Sequence, residues 1–262
     1  MAGPTVLVTG ASRGLGAATA RLAAQLGANI VLTARSRDDL QAVAQEIEAA
    51  GGQTLIVVGD VSVPADCQRM VSEAVEAFAG LDAVVNNAGV LTPIAPVADA
   101  DIEAVRHNWM VNVLGSFMVA QAALPHLRQR SGRILNVSSG AAVSVTAGWA
   151  SYCMAKAAIN HFTRSLAEEE PQITAIAFRP GVVDTAMQAT IRRLGAKGML
   201  EEDYAHFVDY HEEDRLLPPE VPGCALAVLA LHARPEWSGS FLAWNNEDVQ
   251  SLVRRFACTS GR

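Results

Sequence analysis

Several classes of protein are excluded by what this chain lacks. It holds only four cysteines, Cys67, Cys153, Cys224 and Cys258, and none are spaced C-x-x-C. That rules out a zinc ribbon or a disulfide framework and reads as reduced thiols. Its six histidines, His107, His126, His161, His206, His211 and His232, show no metal-ligand spacing, so no metal is expected. Basic residues are outnumbered: the net charge is −7 and the pI about 5.4. Nucleic acid or an anionic membrane would want a basic face, so neither is an expected partner. No apolar run reads as membrane-spanning. The N-terminus, Met1-Ala2-Gly3-Pro4-Thr5, has no charged signal-peptide region and runs directly into an apolar stretch. No repeat, linker or low-complexity tract divides the sequence. The expectation is one soluble, cytoplasmic domain over residues 1–262.

What is present is a core-forming composition. Half of the 262 residues are apolar, enough for one large α/β domain. Val6-Leu7-Val8, bounded by Pro4 and Gly10, suits a buried parallel strand. Thr9-Gly10-Ala11-Ser12-Arg13-Gly14-Leu15-Gly16 follows, and then an Ala-rich helical pattern. Strand, glycine turn and helix together make a dinucleotide site. The glycines allow a tight turn, close approach of backbone to pyrophosphate, and close packing of helix on strand. The helix N-terminus then faces the phosphates.

Asn29-Ile30-Val31-Leu32-Thr33 reads as a second strand. At its end an Asp or Glu would bind a ribose 2′-hydroxyl. Ala34-Arg35 stands there instead, and arginine pairs with a 2′-phosphate. Arg13 in the glycine loop is a second nearby cation. Both point to NADP(H). Asp38 and Asp39 read as the acidic first turn of a helix capped by Ser36. Further strands are expected at 55–58, 83–85, 132–139, 173–178 and 239–244. Helices are expected through Met70 to Phe78, from Ile102 towards Gln121, from Ser151, and from Cys224 to His232, the last of the chain.

Tyr152 and Lys156 lie four positions apart, on one helical face. An ammonium beside a phenol favours the phenolate and so lowers the Tyr pKa. Such a Tyr exchanges a proton with a carbonyl oxygen or an alcohol near neutral pH.

The ordered set T-G-x-x-x-G-x-G (9–16), N-N-A-G (86–89), Asn112, Ser139, Y-x-x-x-K (152–156) and Pro180-Gly181 resembles the short-chain dehydrogenase/reductase family over nearly the whole chain. That resemblance implies a doubly wound Rossmann-type α/β fold, a parallel sheet of about seven strands with helices on both faces. It implies cofactor contacts from Gly10, Ser12, Arg13, Gly14, Leu15, Gly16, Arg35, Asp60, Val61, Asn87, Ala88, Gly89, Tyr152, Lys156, Pro180, Gly181, Val183 and Thr185. In the family an Asp placed like Asp60 binds the adenine amino group; on its residues alone Asp60 is equally a loop cap. Ser139 would polarise the substrate carbonyl, Tyr152 would protonate it, and Lys156 would hold the nicotinamide ribose. The main chain of Asn112 would support the proton relay. Pro180, Gly181, Val183 and Thr185 would hold the nicotinamide carboxamide.

Asp184-Thr185-Ala186-Met187-Gln188 is similar to the sepiapterin-reductase and benzil-reductase branch, which handles dicarbonyls. The expected substrate is a small hydrophobic ketone or diketone, contacted by Ser139, Ala141, Trp149, Tyr152 and Met187. Met154 and Met199 are further candidates for an apolar pocket edge. Alternatives are a 3-oxoacyl thioester, a steroid, or a regulator that binds NADP(H) without turnover. The charged stretch 186–222 is the expected substrate lid. The family commonly pairs through the two long helices, so a homodimer or homotetramer is expected.

Overall fold

Short β-branched and apolar runs alternate with helices along the chain, and the strands gather into one sheet. The computed structural model describes residues 3–257, so the readings of Met1, Ala2 and Cys258 fall outside the described residues. The strands are β1 (Thr5–Thr9), β2 (Asn29–Ala34), β3 (Gln53–Val58), β4 (Ala83–Asn86), β5 (Arg133–Val137), β6 (Thr174–Arg179) and β7 (Phe241–Ala243). Their order is β3-β2-β1-β4-β5-β6-β7, and every neighbouring pair is parallel. The helices are α1 (Gly14–Gln25), α2 (Arg37–Ala49), α3 (Pro64–Phe78), α4 (Ile102–Trp109), α5 (Ser116–Leu127) and α6 (Ala150–Glu169). They continue with α7 (Ala186–Gly198), α8 (Glu201–Glu212), α9 (Glu220–His232) and α10 (Glu247–Ala257).

Adjacent strand residues point to opposite faces. Val6, Val8, Ile30, Leu32 and Phe178 therefore pack on one side, with buried residues of α1, α2, α9 and α10. Leu7, Val31, Val84, Ile134 and Ala175 pack on the other, with α3, α5 and α6. A sheet covered on both faces buries its strands at every position, as in β1, where Val6-Leu7-Val8 is the apolar run. The expected doubly wound architecture is the observed one. Its order turns back between β1 and β4, and in such sheets the crevice beyond the strand C-termini at that point takes the ligand.

Three points of the sequence reading are corrected or filled in. First, the helix after Ile102 is longer than read and runs unbroken to Arg130 through a π-helical turn, Met110–Gly115. By length and composition this 29-residue run could cross a membrane, contrary to the reading that no apolar run would. Here its Val111, Val119, Ala120, Ala123 and Leu127 are buried against the sheet. Second, the charged stretch 186–222, read as a lid, is helical for most of its length. It is α7, α8 and the start of α9. Gln188, Ile191, Gly195 and Gly198 form a buried face of α7, which the charges of Arg192, Arg193 and Lys197 obscured in the sequence. Third, α9 is not the last helix, since α10 follows β7.

Candidate active site

At the β1 terminus the chain must turn sharply, and Gly10 (φ +64°) and Gly14 (φ +54°) take left-handed conformations there. A Cβ on Gly16 would strike the Gly10 carbonyl and the Asn87 amide, so α1 can approach the strand only through a bare backbone. Asn87 ties the turn to β4: its Nδ2 donates to Thr9 O (2.9 Å) and Gly10 O (3.2 Å). The N–H groups of Asn87 and Ala88 both donate to Thr9 Oγ1 at 3.0 Å. No side chain caps α1. Its opening turn is thus a rigid cradle with unclaimed amide donors, which is what a pyrophosphate fits. Ser12 and Leu15 complete the turn, and Arg13 is exposed beside it.

Arg35, just past β2, has a side chain 67% exposed and lies 3.7 Å from Asp60 past the end of β3. Asp60 accepts from Ser62 N (2.9 Å) and Ser62 Oγ (2.7 Å). Burial works against its charge, but these bonds and Arg35 prevail and hold the carboxyl below its ordinary range. Val61 is buried against Gly115. On the far side of the crevice, Gly181 (φ +83°) packs against Leu217 and Trp244, and Val183 bridges to Leu217. Thr185 begins α7 with its methyl 3.1 Å from the Cβ position of Gly14. Pro180, Gly181, Val183 and Thr185 therefore stand opposite the glycine loop.

Tyr152 and Lys156 are both buried on α6. Lys156 Nζ donates to Val137 O, the last carbonyl of β5, at 2.7 Å, and lies 5.6 Å from the Tyr152 ring centroid. Ser139 Oγ accepts from Ala141 N at 3.2 Å and also hydrogen-bonds Tyr152. Ser138 points away and donates to Asn160 Oδ1 at 2.6 Å. Asn112 sits in the π-helical turn, where its Oδ1 accepts from Val90 N (2.9 Å) and its Nδ2 donates to Val90 O (2.7 Å). A Cβ on Gly89 would lie 2.9 Å from Asn112 Oδ1 and 3.8 Å from Lys156 Nζ. That bare position lets the two side chains approach the N-N-A-G loop. Leu91, Ala141, Trp149, Tyr152 and Ile191 form an apolar wall, joined by Met187, Met199 and Phe207.

The short chain dehydrogenase family model matches residues 4–194. The chain belongs to that family. This dehydrogenase is 39% identical over 246 residues to an uncharacterized oxidoreductase of Schizosaccharomyces pombe, covering 92% of this chain and 96% of the relative. A benzil reductase ((S)-benzoin forming) of Saccharomyces cerevisiae is 33% identical over 257 residues, covering 94% of this chain and 97% of the relative. The crystal structure of a short chain dehydrogenase/reductase from Saccharomyces cerevisiae superposes with a TM-score of 0.91 at 34% identity, covering 95% of this chain and 99% of that one. The family binds a nicotinamide cofactor, and the glycine cradle of this dehydrogenase fits one.

One electrostatic expectation fails for the dehydrogenase as it stands. Burial raises the Tyr152 phenol to about 12, against the opposing hydrogen bond from Ser139. The Lys156 ammonium is itself lowered to about 8 by burial. Desolvation outweighs any help from the cation, whose bond goes to a backbone carbonyl. Met154, expected at the pocket edge, is half exposed on the outer side of α6.

Sequence reasoning missed Leu91, Ile191 and Phe207 as pocket walls. Asn108, which the sequence places on one helical face with Asn112, holds the same loop: its Nδ2 donates to the carbonyls of Val90, Leu91 and Thr92 and its Oδ1 accepts from Asn112. The signal for this was the pair of asparagines four apart, because a buried amide needs partners.

Proposed function

We propose that this dehydrogenase is an NADPH-dependent carbonyl reductase acting on small hydrophobic ketones and diketones. The observation that carries this is the Tyr152 phenol, buried, hydrogen-bonded to Ser139 and protonated at neutral pH. A protonated phenol can give its proton to an oxygen that gains negative charge, which is the need of reduction. NADPH supplies hydride when bound. Ser139 donates to the same substrate oxygen and stabilises its charge. Lys156 binds the nicotinamide ribose, and Asn112 fixes the N-N-A-G loop beside it. The apolar wall keeps water out and matches a hydrophobic substrate.

Arg35 and Arg13, both exposed near the adenosine end, support NADPH over NADH. The α7–α8 hairpin serves as the substrate lid, with Phe207 stacked on Trp149 at 4.9 Å. Exposed Leu114, Phe117 and Met154 on the long helices support pairing with a second copy. The acidic surface and reduced thiols suit a cytoplasmic enzyme. The apolar wall also favours a second reading, a bulkier steroid or 3-oxoacyl thioester.

The test is NADPH oxidation, followed by near-UV absorbance, over a panel of ketones, diketones, steroids and thioesters. Turnover is expected with ketones or diketones, and Tyr152→Phe should lower it by roughly 10²–10⁴-fold. Tight NADPH binding without turnover of any carbonyl would mark a regulator instead.

A further inference from the structure

Buried polar atoms normally find partners, and those that do not are informative. Among the described residues, buried and unpartnered side-chain atoms occur on Arg21, Asn86, Trp149, Ser151, Gln188 and Arg192. Arg21 has Glu46 at ion-pair distance, and Asn86 bonds through its amide nitrogen. The other four lie on the entry to α6 and on α7. Trp149 belongs to the apolar wall around Tyr152, together with Met187 and Ile191, the neighbours of Gln188 and Arg192 on α7.

Trp149 stands out among them. Its residue is only 6% exposed, and its indole Nε1–H has no acceptor. Indole can only donate, and a buried indole N–H is usually satisfied. The ring is fixed on two sides: it meets Tyr152 edge to face, centroids 5.9 Å apart at 90°, and stacks on Phe207. A fixed ring that carries an unsatisfied donor thus packs on the ring of Tyr152.

We propose that Trp149 is the specificity residue of this site, donating its Nε1–H to a second carbonyl oxygen adjacent to the one reduced. This rests on the reductase reading and deepens it. A 1,2-diketone carries that oxygen on the neighbouring carbon and satisfies the donor. A monoketone of the same skeleton leaves it unsatisfied, which is how a polar group rejects an analogue lacking its partner. The same contact persists after one turnover, because the second carbonyl remains in the hydroxyketone product.

The experiment compares a symmetrical diaryl 1,2-diketone with the diaryl monoketone in which one C=O is CH₂. Trp149→Phe keeps an aromatic ring and removes the N–H. It should lower kcat/KM for the diketone roughly tenfold more than for the monoketone, a difference of about 1.4 kcal/mol. Equal loss on both substrates, or no loss on either, overturns the assignment. Should W149F melt below the assay temperature, the wild-type protein carries the test through its ¹⁵N-labelled indole signals, assigned with W109F, W237F and W244F. The Trp149 signal should move downfield with the diketone and not with the monoketone; an unmoved signal overturns the proposal. Failure of the wild type to reduce any carbonyl is a different result and refutes the reductase reading itself.

Discussion

The Arg35 guanidinium stands 3.7 Å from the Asp60 carboxylate, joining the segments that leave β2 and β3. Arg35 is largely solvated and the gap is long, so the pair adds little stability. Its weight lies in binding, because Asp60 holds Arg35 near the place where a 2′-phosphate would sit. Arg35→Asp removes the cation and sets two carboxylates side by side. The Kd for NADPH should rise roughly 10–100-fold, the worth of one or two charge-assisted bonds, while NADH becomes the better cofactor. Isothermal titration with both cofactors checks this, and unchanged NADPH affinity would refute the 2′-phosphate assignment.

Rising pH should discharge Lys156 before Tyr152, since burial places them at about 8 and about 12. Reduction needs the phenol protonated and the lysine charged. Its kcat/KM should therefore hold through neutral pH and fall above about pH 8. A pH–rate profile with a descending limb in that region is expected, and a flat profile up to about pH 10 would contradict it.

The same burial links pH to stability. The Lys156 pKa is lower in the folded protein than its ordinary 10.5, so between about 8 and 10.5 the unfolded chain binds more protons. Stability contributed by this site accordingly rises with pH over that window. Tyr152 acts oppositely, and its share is lost as pH climbs from 10 towards about 12. Relative to Lys156→Met, the wild-type Tm should climb between neutral pH and about pH 9.5. Parallel Tm curves would show that the lysine is not desolvated.

Gly16 has no room for a methyl group, because the Gly10 carbonyl and Asn87 amide occupy that space. Backbone cannot swing aside as a flexible side chain can. Gly16→Ala should cost about 1–3 kcal/mol of stability and weaken NADPH binding roughly tenfold or more. Thermal melting with a fluorescence titration measures both. Wild-type affinity in a stable variant would mean that the turn is not the phosphate cradle.

Asn112 answers both the N–H and the C=O of Val90 from a fully buried position. Asn112→Ala strands the Val90 N–H, at about 1–3 kcal/mol, and leaves the Val90 carbonyl to Asn108 alone. A lower Tm and a fall in kcat are expected, with the KM for NADPH also rising as the N-N-A-G loop loosens. A Tm equal to wild type would remove Asn112 from this role.

Local features were legible in the sequence. Gly10, Gly14 and Gly16 answer conformational needs that any reader of the strand–turn–helix pattern can state. Ser36 and Asp39 form the helix start that their spacing implies, with Asp39 N donating to Ser36 Oγ at 3.4 Å. The alternation of strands and helices gave the sheet. Features that depend on distant segments were not legible. The Arg35–Asp60 pair joins two loops, Phe207 reaches Trp149 from a helix that charge had masked, and desolvation of Tyr152 depends on how closely α6, α7 and the 139–142 turn close over it. Spacing placed the lysine near the phenol but could not weigh its field against the loss of water.

The wide turn at Met110–Gly115 changes what a single helical rod can serve. In regular α-geometry each residue advances about 100°, so an uninterrupted rod keeps one side towards one neighbour. The surplus residue in this turn resets the angular phase between α4 and α5. Asn108 of the leading half and Asn112 of the turn itself can then grip the Val90–Thr92 strap, while the trailing half lays Val119, Ala123 and Leu127 onto the sheet. Trimming one residue from that turn would put the halves back in step and leave the rod able to satisfy only one of its two neighbours.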